Sequence, residues 1–202
     1  MNSDDEISPP GEGKRERKRR ETLARITDVG LRLFLQRGYD ATTLDEIAAE
    51  AGISRRTFFH YFKSKDEILL SLQSDMGLRI VRALEDEPAD KPPLEAIRDA
   101  VLEVCNTIPA DEMLAIDRLM RASPVVQARK LASYVEHEAT LYAALRRKWP
   151  GEQRQLALRL VSMMSIGALR LSTDAYHRED GARPFGDLLR EAFAALGGEA
   201  NP

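Results

Sequence analysis

Cysteine is almost missing from this chain of 202 residues: Cys105 stands alone, so no intrachain disulfide can form and a reducing compartment is the default. Histidine is nearly as scarce. His60, His137 and His177 lie far apart, with neither an H-x-x-x-H nor a C-x-x-C spacing, so no metal site is expected. There is no glycine-rich phosphate loop, no G-x-S-x-G elbow and no nucleophile with an obvious base, so no enzyme and no cofactor are expected. No segment alternates apolar and polar residues as a half-buried strand does, and no internal repeat recurs. The least charged long stretch, Leu160 to Leu169, is about half a membrane span, and the opening MNSDDEISPPGEG has no apolar signal-like core. A soluble, cytoplasmic, all-α protein with no membrane partner is the expectation.

What is present is helical periodicity punctuated by caps. Residues 1–13, acidic and rich in proline and glycine, read as a disordered tail. Residues 14–65 then read as a small N-terminal domain, and 66–198 as a larger one. A first helix runs from Lys14 to Arg37, its Leu23, Ile26, Val29, Gly30, Leu33 and Phe34 at three-four spacing, with Gly38 just past its end. Thr43 and Glu46 form a capping box for a second helix that Gly52 ends, and Ser54 caps a third. Ser64 and Glu67 suggest another box opening a fourth helix. Beyond Pro93 come a fifth helix, a sixth capped by Asp111, and a seventh opened by Ser123 and Pro124 and closed after Trp149. An eighth spans about Glu152 to His177, and a ninth carries Phe185 to Leu196 before Gly197 and Gly198. About nine helices are expected.

Charge is unevenly placed. The net charge is −3, yet residues 1–65 hold thirteen Lys/Arg against eleven Asp/Glu, and the remainder seventeen against twenty-two. The densest basic run, KRERKRR from Lys14 to Arg20, is either the solvated start of the first helix or an arm along the phosphates or minor groove. The third helix, SRRTFFHYF, has two faces: at ~100° per residue Phe58, Tyr61 and Phe62 share one side, and Arg56, Phe59, His60 and Lys63 the other. Two short capped helices separated by GIS, the second with a basic outer face, have the form of a helix-turn-helix. Ala48 and Gly52 are small enough to let the two helices cross closely.

TTLDEIAAEAGISRRTFFHYFKSKDEILL, preceded by FLQRGY, resembles the DNA-binding domain of the TetR family of bacterial transcriptional regulators over about residues 20–72. The resemblance implies a three-helix head joined by the fourth helix to a ligand-binding and dimerisation domain. It places Thr43 against the DNA backbone, Ser54 to Tyr61 in the major groove, Thr57 and Phe59 near phosphate and sugar, and Lys65 on a phosphate. Arg55, Arg56, Phe59 and His60 form the outward set. Most members carry a small residue at Arg56 and a tyrosine at Phe59. Phe59 lacks the hydroxyl that would bond phosphate and is expected to pack on sugar or a thymine methyl, while Arg56 can reach a guanine bidentately.

A single small head binds weakly, and two recognition helices one DNA turn apart require a two-fold homodimer on a palindromic operator. The eighth and ninth helices, through Leu156, Leu160, Met163, Met164 and the Phe185 to Leu196 stripe, are the expected interface. The resemblance also implies a small-molecule pocket: Met113, Tyr134, Tyr142 and Met163 suit an apolar or amphipathic effector, and Arg118, Arg121 and His137 a polar head group. DRLMRASPVVQARKLASYVEHEATLYAAL, with RRTFF, is similar to the actinobacterial branch of mycofactocin-cluster regulators, which implies an acyl-CoA-like ligand. The expected function is a ligand-responsive repressor. The alternatives are a sequence-independent nucleoid-type DNA binder or an all-α enzyme using the C-terminal pocket.

Overall fold

The computed structural model describes residues 13–199; the expected tail therefore lies outside the described residues except for Gly13. Every regular element among them is helical. Helices α1 (Lys14–Arg37), α2 (Leu44–Glu50), α3 (Arg55–Tyr61) and α4 (Lys65–Asp86) follow one another through short turns. Two compact units are present, one closing at Leu69 and the other opening at Leu70. The division falls inside α4, whose first residues belong to the first unit.

The first unit is built on the three-four spacing of α1. Ile26, Leu33 and Phe34 are buried with Ile47 of α2, Phe58 of α3 and Ile68 of α4. Gly30 is a point of close approach: a Cβ there would lie 3.1 Å from both Cδ1 and Cγ2 of Ile68. Gly38, at φ 89, ends α1 and donates its N–H to Phe34 O at 3.0 Å. The Thr43–Glu46 box is complete in both directions. Ser54 caps α3 by accepting from Thr57 N. At the start of α4 Glu67 N–H reaches Ser64 Oγ at 3.4 Å, one half of the expected box, and the Glu67 carboxylate accepts from Lys63 N–H at 2.7 Å, one residue before the N-cap. Gly52 also differs from expectation. A Cβ there would meet nothing within 4 Å, so its φ of 66, and not crowding between helices, is what calls for glycine; Ala48 and Ala51 supply the close packing.

The second unit continues with α5 (Pro93–Asn106), α6 (Ala110–Ala122), α7 (Pro124–Lys148), a 3₁₀ turn at Glu152–Arg154, α8 (Gln155–Arg178) and α9 (Phe185–Glu199). Helix α6 starts one residue before Asp111, with Pro109 at the N-cap. Asp111 thus sits in the first turn, where its charge suits the positive helix end. Helix α9 continues through Gly197 and Gly198, because glycine permits a left-handed stop without imposing one. The core gathers Leu84, Ile97, Ala100, Leu145, Leu158, Ala168 and Leu189. α8 packs against both α7 and α9, and small residues line its inner side: Ser162, Ser165, Ala168 and Ser172 are all buried. Ser172 Oγ donates to Ala168 O at 2.8 Å, which keeps that hydroxyl satisfied.

Glu152–Arg178 is long and apolar enough, by length and composition alone, to cross a membrane. The estimate of half a span stopped at Arg159 and Arg170, which bracket the uncharged stretch. In the fold the apolar composition of α8 serves two sides, one packed inward and one carrying exposed Leu156, Leu160, Met163 and Leu171.

Candidate nucleic-acid interface and sensor residues

Helix α3 is seven residues long, too short to hold itself together in water, so its inward aromatics anchor it. Phe58 is fully buried and Phe62 nearly so, their ring centroids 6.0 Å apart. Tyr61 is half-buried, with its ring edge-on to His60. On the other side Arg55, Arg56, Phe59 and His60 are all exposed, Phe59 by 42%. One surface therefore presents two guanidiniums, an imidazole and an apolar ring.

Those exposed groups are not equally available. Arg55 Nη1 donates to Asp45 Oδ2 of α2 at 2.9 Å, and its guanidinium lies 5.6 Å from the Phe59 ring centroid. Arg56 has no ion-pair or hydrogen-bond partner among the described residues. Ser54 Oγ and Thr57 Oγ1 share a hydrogen bond at 2.8 Å, so both hydroxyls already serve the cap. Thr43 Oγ1 is likewise engaged, with the Glu46 carboxylate at 2.8 Å. The Glu46 carboxyl is held below its usual range, first by the Thr43 backbone N–H and then by the Thr43 side chain. Lys65 sits differently from a free phosphate ligand: Nζ donates to the carbonyls of Tyr39 at 2.7 Å and Thr42 at 3.0 Å, and lies 4.4 Å from the Tyr39 ring centroid. Tyr39 Oη in turn donates to Asp66 at 2.8 Å, and burial with that bond pushes its phenol well above the ordinary range.

Of the seven expected effector residues of the second unit, only His137 lines either of two open grooves found there. His137 lines an open groove of about 290 Å³ between α4 and α7, with Leu70, Ser74, Arg129 and Ser133. Its imidazole lies against Gly77, with Cδ2 3.6 Å from where a Cβ would stand. Burial pushes it below its ordinary pKa, opposed by the charge of Glu136. Arg118 is paired with Asp180. Arg121 bridges Asp117 at 2.8 Å and Asp174 at 2.7 Å. Tyr134 lies under the Arg170 guanidinium at 5.5 Å, and Tyr142 has Arg159 at 5.3 Å and Arg146 at 5.7 Å. Met113 packs against the core, and Met163 is exposed on α8.

Two features escaped the sequence reading. Asp117 is buried and forms a hub: Arg121, Lys130 Nζ at 3.7 Å and His177 Nδ1 at 2.9 Å surround its carboxylate. Burial pushes Lys130 below its ordinary value, with Asp117 opposing. Asp117 Oδ1 and His177 Nδ1 nevertheless lack an aligned hydrogen bond. The spacing of Asp117 and Arg121, four residues apart on one helix, was a visible signal; partners from α7 and α8 were not. The second feature is an open groove of about 470 Å³ lined by Pro92, Pro93, Trp149, Arg154 and Val161, built by segments distant in sequence.

Comparison with known proteins decides the family. Residues 26–72 match the N-terminal domain of bacterial regulatory proteins of the tetR family, and residues 91–201 match the MftR C-terminal domain. The chain belongs to the TetR family. This TetR-family chain is 34% identical over 142 residues to the transcriptional regulator TcmR of Streptomyces glaucescens, a match covering 66% of the chain and 63% of TcmR; it thus spans less than two thirds of that relative. It is 27% identical to the putative mycofactocin biosynthesis transcriptional regulator MftR of Mycobacterium tuberculosis, over 93% of the chain and 96% of MftR. Among solved structures, Thermus thermophilus FadR, a TetR-family repressor in complex with lauroyl-CoA, superposes with a TM-score of 0.55 at 23% identity, covering 86% of this chain and 92% of FadR. The TetR-family chain accordingly has an N-terminal helix-turn-helix domain and a helical C-terminal domain.

Proposed function

We propose that this TetR-family regulator is a cytoplasmic, ligand-responsive repressor that binds a palindromic operator as a homodimer and is released by an amphipathic small molecule. The observation that carries the reading is the two-sided α3, with Phe58 buried and Arg56, Phe59 and His60 exposed together. In this reading α3 enters the major groove, Arg56 reads a guanine edge, Phe59 packs on sugar or a thymine methyl, and Thr43, Ser54, Thr57 and Tyr61 lie along the backbone. Lys65 fixes the Tyr39–Thr42 turn and can offer a phosphate only the proton its two carbonyls leave over. The exposed α8 stripe supports pairing through α8, with α9 beside it. Family relatives support the effector: FadR was crystallised with an acyl thioester, and MftR resembles this chain along nearly its whole length. Repression ends because the effector binds better to a conformer that does not fit the operator, and differential affinity alone then releases DNA.

The test is selection of duplexes from a random-sequence pool by the full chain, followed by fluorescence anisotropy on the enriched duplex and a shuffled one at two salt concentrations. An inverted repeat bound at least ~10³-fold more tightly than the shuffled duplex is expected. Equal, strongly salt-dependent binding of both would instead favour a sequence-independent binder. Lauroyl-CoA added to the specific complex should lower the anisotropy; no release at concentrations that saturate the protein would remove acyl thioesters as the effector class.

A further inference from the structure

Asp45 is a carboxylate on a surface read here as facing a polyanion. It lies in the first turn of α2 with its side chain 61% exposed. Its Oδ2 takes the Arg55 Nη1 hydrogen bond at 2.9 Å, and the same guanidinium lies over the Phe59 ring, 5.6 Å from its centroid. Phe59 is itself braced edge-on by buried Phe58, with ring centroids 5.8 Å apart. Arg55 is thus held by contacts on α2 and α3, while its neighbour Arg56 has no ion-pair or hydrogen-bond partner among the described residues.

We infer that Asp45 is a specificity-determining residue for DNA: it keeps Arg55 against Phe59 and withholds that charge from the phosphates, so that discrimination rests on Arg56 and His60. The inference builds on the reading of α3 as the operator-reading helix. Sequence-independent binding is almost wholly phosphate electrostatics, whereas base readout adds discrimination. One cation withheld from phosphate therefore weakens binding to every duplex and leaves the base-edge contacts in place. An exposed ion pair is weak by itself. Here, if Arg55 left for a phosphate, the Asp45 carboxylate would stand unpaired beside the DNA and be repelled by it, which favours the held state.

The experiment compares wild type, Asp45→Asn, Arg55→Ala and the double variant, as full chains, on the selected duplex and its shuffled counterpart across a salt series, with thermal melts to confirm folding. Asp45→Asn should steepen the dependence of log Kd on log salt for the shuffled duplex by about 0.9, the value of one added phosphate contact. It should also shrink the ratio of specific to shuffled affinity. Both changes should be clearly smaller when the double variant is compared with Arg55→Ala, where only the repulsion of the unpaired carboxylate is relieved. A slope and ratio unchanged in Asp45→Asn would overturn the inference, and so would a steepening of equal size without Arg55, since the carboxylate would then act alone. A purely structural role would lower affinity for both duplexes and leave the slope as it was. Equal binding of both duplexes by the wild type is a separate outcome that removes the operator reading itself.

Discussion

His137 illustrates how one residue couples burial to pH. Its imidazole is half-buried against Gly77 on α4, and burial holds its pKa below the ordinary value near 6.5. The unfolded chain therefore takes up a proton at a higher pH than the folded one. Stability should be flat above about pH 7, fall as pH drops through 6.5 towards the lower folded value, and level off below it. Thermal melts of wild type and His137→Gln between about pH 7 and pH 5.5 check this: the decline should be shallower in the variant. Parallel declines in the two proteins would show that His137 carries none of it. Cys105 is a second buried titratable group, its thiol pushed up to about 11 by desolvation; a thiol so protonated reacts slowly with alkylating reagents.

Within single helices, two glycines separate helix propensity from packing. Gly77 lies in the interior of α4, where a Cβ would make ordinary contact with the His137 ring at 3.6 Å. Gly77→Ala should therefore raise stability by about 0.5–1 kcal/mol, the backbone entropy that glycine costs a helix. Gly30 in α1 has the same intrinsic cost, but its Cβ would stand 3.1 Å from two carbons of fully buried Ile68. Gly30→Ala should lose that gain to overpacking. Urea titrations of both variants test the contrast; equal gains would mean that Ile68 yields freely. The helix boundaries that sequence located well, α1 through α3 and α7, carry local signals: Gly38, the Thr43–Glu46 box, Ser54, and Ser123 before Pro124. Where it missed, at the start of α6 and the end of α9, the signal was permissive. Asp111 suits a first turn as well as a cap, and Gly197 tolerates a helix.

At the scale of the whole molecule, α8 carries an exposed apolar stripe, the surface proposed above for pairing. Leu156, Leu160, Met163 and Leu171 are 74%, 48%, 45% and 63% exposed, and their spacing puts them on one side of the helix. By contrast Leu188, Leu189 and Phe193 of α9, expected in the same interface, are buried in the core of their own unit. The pairing surface proposed here therefore rests mainly on α8. Leu160→Glu should leave the monomer folded, since the side chain is half exposed, and convert a dimer to a monomer in sedimentation velocity. Operator affinity should fall with it, because each half-site would then be bound without its neighbour. A dimer that survives Leu160→Glu at micromolar concentration would place the interface elsewhere.

The sequence by itself determined the helical class, the order of the helices and the two-sided character of α3. These depend on periodicity and on caps within a few residues, and the physics that sets them is local. Tertiary structure alone decided which polar groups are spoken for. Arg55 is held by Asp45 ten residues earlier, Arg121 by Asp174 fifty-three residues later, and Lys65 by carbonyls of the α1–α2 turn. An exposed arginine and a paired one look alike in sequence, because pairing depends on which helices pack together and only packing brings such charges within reach.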